Sequence, residues 1–215
     1  MSVVKYLVEA FVSGSIWSDI GISTYRIFMG FILAVIIGVP LGILAGTFNF
    51  AEALIQPFTE FLRYLPVPAF IPLIMVWVGI EESAKVTIIF IGTLFQLIPM
   101  VADNVRSVQD DLISAVYTLG ANKRIIIFRV IIPAIAPRTM DTLRVMMGWA
   151  WTYLIVAEMV AANSGLGYNI LKAQRYLKTE VIFGGILVIG LLGLITDRTF
   201  SKLNKKLFPW FEGGQ

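Results

Sequence analysis

The sequence predicts an all-α integral membrane fold with five transmembrane helices, and two observations lead there, while a third narrows the chemistry. Of its 215 residues, 58% are hydrophobic and only 14% charged, too little polar surface to cover a water-soluble fold of this size. The apolar residues gather into stretches that approach the roughly 20 residues a helix needs to cross a hydrocarbon core of about 30 Å. Cysteine and histidine are both absent, which removes disulfides, thiolate nucleophiles, imidazole bases and the usual zinc ligands.

The elements follow in order. The opening residues carry Lys5 and Glu9 among Tyr6, Leu7, Val8 and Phe11, too short and too charged a run for a signal peptide or a span, and residues 1–23 read as an amphipathic lead-in. The first span covers residues 24–46, where Gly38, Gly42 and Gly46 recur every fourth position and let another helix approach closely. The second, residues 67–80, is short. It is bounded by Pro66 and Pro68, holds Pro72 and is followed by Glu81-Glu82, so it starts earlier, tilts or is broken. The third span covers 84–102, the fourth 139–162 and the fifth 181–199, the last with Gly184, Gly185, Gly190 and Gly193 as packing positions. No repeat spacing and no linker divides the chain, so residues 1–215 read as one membrane domain.

Between the third and fourth spans lies a basic connection, residues 103–138. Asp110-Asp111 are placed to cap a short helix whose Leu112, Ile113, Val116 and Leu119 share a face, and Gly120 supplies its stop. A second short helix spans 122–132, after which Pro133 and Pro137 break the chain. Two readings fit this apolar periodicity: a segment lying in the headgroup layer, or a knob that docks a partner.

Basic residues orient the spans. Arg63, five residues of the connection (Arg106, Lys123, Arg124, Arg129, Arg138) and four of the tail (Arg198, Lys202, Lys205, Lys206) make ten on one side. Lys5, Arg26, Lys85, Lys172, Arg175 and Lys178 make six on the other. The bias puts the connection and the C-terminus in the cytoplasm. A net charge of +3 spread beside apolar runs reads as topology signal and lipid-headgroup anchoring, and no nucleic-acid partner is indicated. No glycine-rich stretch ends in Gly-Lys-Ser or Gly-Lys-Thr, so any ATP use belongs to another polypeptide.

Few side chains inside the spans carry chemistry. Glu158, near the end of the fourth span, is costly there unless it faces the bundle interior, a water-filled path or a partner, which makes it a pathway or gate candidate. Its bland alternative is bonding to Asn163, Ser164 or nearby backbone. Gln96 has the same double reading, with a helix-to-helix hydrogen bond as the alternative. Trp149, Trp151 and Tyr153 either line a cavity or pack against neighbours. Asp141 and Arg144 are spaced to pair on one helix. The stretch 163–168, Asn-Ser-Gly-Leu-Gly-Tyr, reads as a flexible turn that ends a helix or hinges a gate. An intramembrane enzyme would need a facing nucleophile and base, and no such pair stands out.

Within the connection, Ser114-Ala115-Val116, Gly120 and Val130-Ile131-Ile132-Pro133 resemble the Glu-Ala-Ala loop of ABC importer permeases. Tyr25-Arg26-Ile27-Phe28-Met29-Gly30-Phe31, the proline-rich stretch 62–73, Trp77-Val78-Gly79-Ile80, Leu119-Gly120-Ala121, and Val156-Ala157-Glu158-Met159 through Gly165-Leu166-Gly167-Tyr168 are similar to the nitrate/sulfonate/taurine/bicarbonate branch. The resemblance covers nearly the whole chain. It implies a MetI-like permease core with short cytoplasmic coupling helices in a bacterial inner membrane. A second permease copy, two cytoplasmic ATPase subunits and an external solute-binding protein would be its partners, with transport by alternating access. ATP and Mg would be held by the ATPase, with no cofactor on this chain, which would be no enzyme itself. Ser114, Ala115, Val116, Leu119, Gly120, Ala121 and Pro133 would be the ATPase-coupling residues, and Glu158, Gln96 and Trp151 the pathway or gate residues. The cargo would be a small anion, with residues 161–167 closest to the sulfonate and taurine members, and Glu158 unsuited to ligate it. Two departures stand out: Ser114 replaces the family's usual glutamate, and an N-terminal span common in this branch is lacking. The competing reading is an ion-coupled secondary carrier, which would need ionisable residues at mid-bilayer and usually an internal repeat.

Overall fold

With no water in the bilayer core, backbone N–H and C=O groups must be satisfied within the chain, so long apolar runs fold as helices. The computed structural model describes residues 2–211, with Ala161 described in its backbone only. Met1, residues 212–215 and the Ala161 side chain, parts of the expected domain and of the 161–167 stretch, lie outside the described residues. The described residues, 2–211, are all-α. In order they form α1 (Val3–Val12), α2 (Ser15–Thr47), α3 (Asn49–Tyr64), α4 (Val67–Val78), α5 (Glu82–Arg106), α6 (Asp110–Thr118), α7 (Lys123–Ile126), a π-helical segment (Ile127–Ile131), α8 (Ile132–Ala161), α9 (Leu166–Arg175) and α10 (Thr179–Leu207).

Among the described residues three helices, α2, α5 and α10, are long and apolar enough to cross a membrane, and α3 with α4 meets the same criterion as a broken pair. The 12 residues of α4 reach only about 18 Å at 1.5 Å per residue. The expected second span is therefore half of a pair, separated from α3 where Pro66 takes an extended conformation and keeps the preceding residue out of a helix. The other helices outrun their apolar stretches. The second helix starts at Ser15 rather than 24 and α10 continues to Leu207 rather than 199, because hydropathy marks the part suited to hydrocarbon while the hydrogen-bond ladder runs on into polar sequence.

The expected break at Pro133 and Pro137 does not occur: α8 runs unbroken for 30 residues with Pro137 inside it. Pro133 follows closely on the π-helical segment, with helical backbone on both sides of it. The carbonyl four residues earlier, on Arg129, belongs to the π-helical segment, whose wider turn accommodates the misfit ahead of the proline.

The chain forms two compact units: Met1–Leu33, Leu65–Thr93 and Met147–Thr196 make the first; Ala34–Tyr64, Leu94–Met146 and Asp197–Gln215 the second. In the first, Ile71 and Ile74 of α4 cluster with Ala84 and Ile88 of α5 and Ala157 of α8. A second cluster joins Ala10 of α1 to Ile16, Leu166 and Val188. Tyr6 of α1 covers Gly184, where a Cβ would come within 2.8 Å of its ring. Burial, and after it the charge of Asp19, holds the Tyr6 phenol above its usual pKa.

In the second unit the glycines of α2 form notches for α5. A Cβ on Gly42 would lie 2.6 Å from Val101 Cβ, and one on Gly46 2.6 Å from Val105 Cβ, while Gly38 abuts Leu97. Only residues without a side chain permit this approach, and it gains dispersion contacts along both backbones. The same unit holds a cluster of Val105, Ile126, Ile131 and Ile135, flanked by Ile43, Ile113 and Val116.

Candidate functional site

The connection folds into a helix–turn–helix projection built by local rules. Gln109, not an aspartate, is the N-cap of α6, and it makes no side-chain cap bond. Asp110 and Asp111 instead occupy the first turn, where their charges complement the helix dipole. At the other end Gly120 takes φ +81°. Gly120 N–H donates to the Tyr117 carbonyl (2.9 Å) and Ala121 N–H to the Val116 carbonyl (3.3 Å), the paired closure of a Schellman stop with glycine in its left-handed position. Asn122 then caps α7, its Oδ1 accepting from Ile125 N–H at 3.0 Å.

The apolar residues of α6 divide between two directions rather than sharing one face. Ile113 and Val116 turn inward to the Ile126 cluster, together with Ala121. Leu112, Tyr117 and Phe128 are exposed, and Leu119 is 86% exposed. Of the candidate coupling residues, Ser114, Ala115, Leu119, Gly120 and Pro133 are exposed, while Val116 and Ala121 are partly buried and brace the projection from below. A fully buried isoleucine of this cluster, such as Ile126 or Ile131, contributes about 1.5–3 kcal/mol where the surroundings are aqueous. An anchored platform thus carries an uncovered apolar edge. Beside it a cavity of about 360 Å³ is lined by Val105, Ile113, Tyr117, Ile126 and Ile131 together with Arg106, Asp110 and Lys123.

Ion pairs tie the elements under the projection together. Arg106 of α5 donates to Glu52 of α3 at 2.8 Å and to Asp103 at 3.0 Å. Asp141 and Arg144 do not pair with each other. Arg144 donates bidentately to Asp197 of α10, and Asp141 accepts from Asn204 of α10 at 2.7 Å.

Glu158 belongs to a second constellation, in the first unit. Its Oε1 accepts from Ser23 Oγ (2.6 Å) and Arg26 Nη1 (2.8 Å), and its Oε2 from the Gly167 backbone N–H (2.8 Å). Arg26 uses all five guanidinium donors. Beyond Glu158, Nε and Nη2 reach the Glu82 carboxylate at 2.6 and 2.7 Å, and Nη1 and Nη2 reach the Ser164 carbonyl and hydroxyl at 2.8 and 3.2 Å. Arg26 and Glu158 are both 0% exposed. Lys85 adds a second cation on Glu82 at 3.2 Å, so two acids face two bases and no buried charge is left alone.

This constellation also fixes the turn between α8 and α9. Gly165, at φ +108°, donates its N–H to Asp19 at 2.9 Å, Leu166 N–H donates to Ser23 Oγ at 3.0 Å, and Asn169 Nδ2 donates to Asp19. A side chain at Gly165 would collide with the Glu158 carboxylate. The stretch that reads in sequence as a flexible turn is tethered at Ser164, Gly165, Leu166, Gly167 and Asn169. Arg26, Ser23, Asp19 and Glu82 were not singled out by sequence; the signal that reveals them is a lone arginine and a lone glutamate in separate apolar spans, each too costly to leave unpaired. The two other pathway candidates lie elsewhere. Trp151 is buried in the first unit and donates Nε1–H to Thr196 Oγ1 at 3.1 Å. Gln96 is half-buried on the part of α5 in the second unit.

Comparison with known proteins accords with this architecture. The family profile described as "binding-protein-dependent transport system inner membrane component" matches residues 38–209. A probable ABC transporter permease of Brucella abortus is 37% identical over 212 residues, 99% of this chain and 85% of the relative. The permease of the taurine transport system of Escherichia coli is 31% identical over 202 residues, 94% of this chain and 74% of the relative. A solved chain of the MetNI methionine ABC transporter, in an inward-facing conformation, shares the fold at a TM-score of 0.78 and 17% identity, covering 89% of this chain and 95% of that one.

Proposed function

The chain belongs to the family of inner membrane components of binding-protein-dependent transport systems, and from that premise we propose that it forms the path of an ATP-driven importer of a small anion, an aliphatic sulfonate or taurine in the first place and nitrate or bicarbonate in the second. Residues 1–215 act as one permease domain with five spans, residues 1–23 as its lead-in and residues 103–138 as the cytoplasmic coupling loop. Two copies of it pair with two cytoplasmic ATPase subunits, which hold ATP and Mg, and with an external solute-binding protein. The basic-residue bias supports a cytoplasmic C-terminus.

The observation that carries this reading is the braced apolar edge of α6. Motion of an ATPase is transmitted only by a contact that does not deform, and Ile113 and Val116 hold the projection against the Ile126 cluster while Leu119 stands free. Closure of the ATPase pair on ATP then biases two states of the bundle, opening the path to one side at a time. Ser114, Ala115, Leu119, Gly120 and Pro133 meet the ATPase, and Val116 and Ala121 support them. Trp151 and Gln96 belong to the path or its gate. Glu158, whose carboxylate is occupied by Ser23, Arg26 and Gly167, serves the gate by holding the α8–α9 turn rather than by binding the anion.

The test is uptake of labelled taurine, nitrate and bicarbonate by cells with and without the chain, alongside affinity capture of the ATPase. A Leu119→Asp variant that inserts normally is expected to lose both uptake and the co-captured ATPase. Full uptake by that variant would defeat the coupling reading.

A further inference from the structure

The turn joining α9 to α10 repeats the helix stop seen at Gly120, with one difference. Leu177 N–H donates to the Gln174 carbonyl (3.2 Å) and Lys178 N–H to the Ala173 carbonyl (3.0 Å), again a Schellman closure. The left-handed position, glycine in α6, is here a leucine at φ +54°, the single positive-φ residue other than glycine among the described residues. Strain of this kind persists where something outside the local backbone requires the side chain. Leu177 is nevertheless 85% exposed, and Tyr176 beside it 68%, so no packing within the described chain accounts for it.

Around this apolar tip stand Lys172, Arg175 and Lys178, all exposed. None makes a side-chain ion pair or hydrogen bond among the described residues. Glu180, partly buried in the first turn of α10, is the one acid between residues 172 and 180. The surface is thus a fixed apolar tip in a cationic ring, on a polar helix whose start is tethered through Gly165 and Asn169 to Asp19.

We propose that this turn is the docking knob for the solute-binding protein, with Tyr176 and Leu177 entering an apolar recess whose acidic rim pairs with Lys172, Arg175 and Lys178. The inference rests on the importer reading above and on the charge count that puts Lys172, Arg175 and Lys178 on the side opposite the connection and the C-terminus. The family's own description requires a binding protein as partner, and the charge of the patch sets the chemistry of its face. A lipid headgroup layer accepts cations on flexible stems in any backbone geometry. Only a partner with a shaped recess rewards a strained, fixed protrusion.

The experiment uses the complete permease–ATPase complex in lipid nanodiscs and titrates the purified solute-binding protein of the same system, reading ATPase stimulation. The Lys172→Glu/Arg175→Glu/Lys178→Glu variant is expected to raise the half-stimulating concentration about tenfold or more, with the rate in the absence of binding protein unchanged. A Leu177→Gly variant relieves the strained backbone and therefore leaves folding intact or improved. It should still weaken stimulation severalfold, the opposite of what a purely structural residue would do. Parent-like titrations for both variants overturn the knob while leaving the importer reading in place. Defects that track the anionic-lipid content of the disc instead of binding-protein concentration overturn it in favour of a membrane anchor. A parent complex indifferent to any binding protein overturns both readings together.

Discussion

Arg26 is the residue on which the first unit's charge network turns, since one guanidinium reaches α2's neighbours Glu82 and Glu158 and the Ser164 turn at once. Lysine keeps the charge but has three donors on a flexible stem instead of five in a planar fork, so it cannot reproduce this set. Arg26→Lys is expected to lower the thermal unfolding midpoint in detergent. Arg26→Ala, which strands Glu158 without its charge partner, should cost about 3–5 kcal/mol. A Glu158→Gln exchange, leaving Arg26 paired with Glu82, should cost less than the alanine variant, and equal losses for all three would contradict a five-donor hub. At this scale half of the site was legible in sequence. A carboxylate in Leu154-Ile-Val-Ala-Glu158 announces itself, whereas Arg26 lies two residues inside the first apolar run and reads as one of the flanking cations that set topology. Its partner is 132 positions away, and no local pattern encodes a pairing over that distance.

At the scale of elements, the stop at Gly120 separates two explanations of what a substitution there does. A bulky side chain would meet open space, since nothing lies within 4 Å of a Cβ built at this position; the penalty comes from φ +81°. Gly120→Ala should therefore cost about 1–2 kcal/mol in the turn, and Gly120→Asn, whose side chain tolerates the left-handed region, should cost less. Capture of the ATPase by the two variants, ranked glycine, asparagine, alanine, checks this; a ranking by side-chain volume would point to crowding instead. The helix–glycine–helix order of the connection was readable because capping and turn chemistry act within a few residues. The inward turn of Ile113 and Val116 was not, since which half of an apolar face is covered depends on Val105 and Ile135, from other parts of the chain. The failed break at Pro133 has a similar origin: the π-helical segment ahead of it accommodates the proline inside a continuous helical run, and no local pattern announces that wider turn.

For the whole molecule, the driving force is the decisive question. An importer powered by a separate ATPase loses uptake when cellular ATP is depleted and keeps it when the proton gradient alone is collapsed by a protonophore; an ion-coupled carrier does the reverse, and a single pair of uptake measurements distinguishes them. Composition was enough to read the all-helical membrane class, because apolar stretches of this length have one stable form in lipid, while the broken α3–α4 pair shows where apolar content alone misstates how many helices cross unaided. The glycine notches of α2 bear on how such a molecule can move. Because Gly38, Gly42 and Gly46 receive Leu97, Val101 and Val105 at matching four-residue intervals, any slippage between the two rods short of a full helical turn, about 5.4 Å, drives a branched side chain into a neighbour's backbone. The two rods are geared like meshed cogs, so small displacements carry them along as a single lever, and only a whole tooth's jump changes their register.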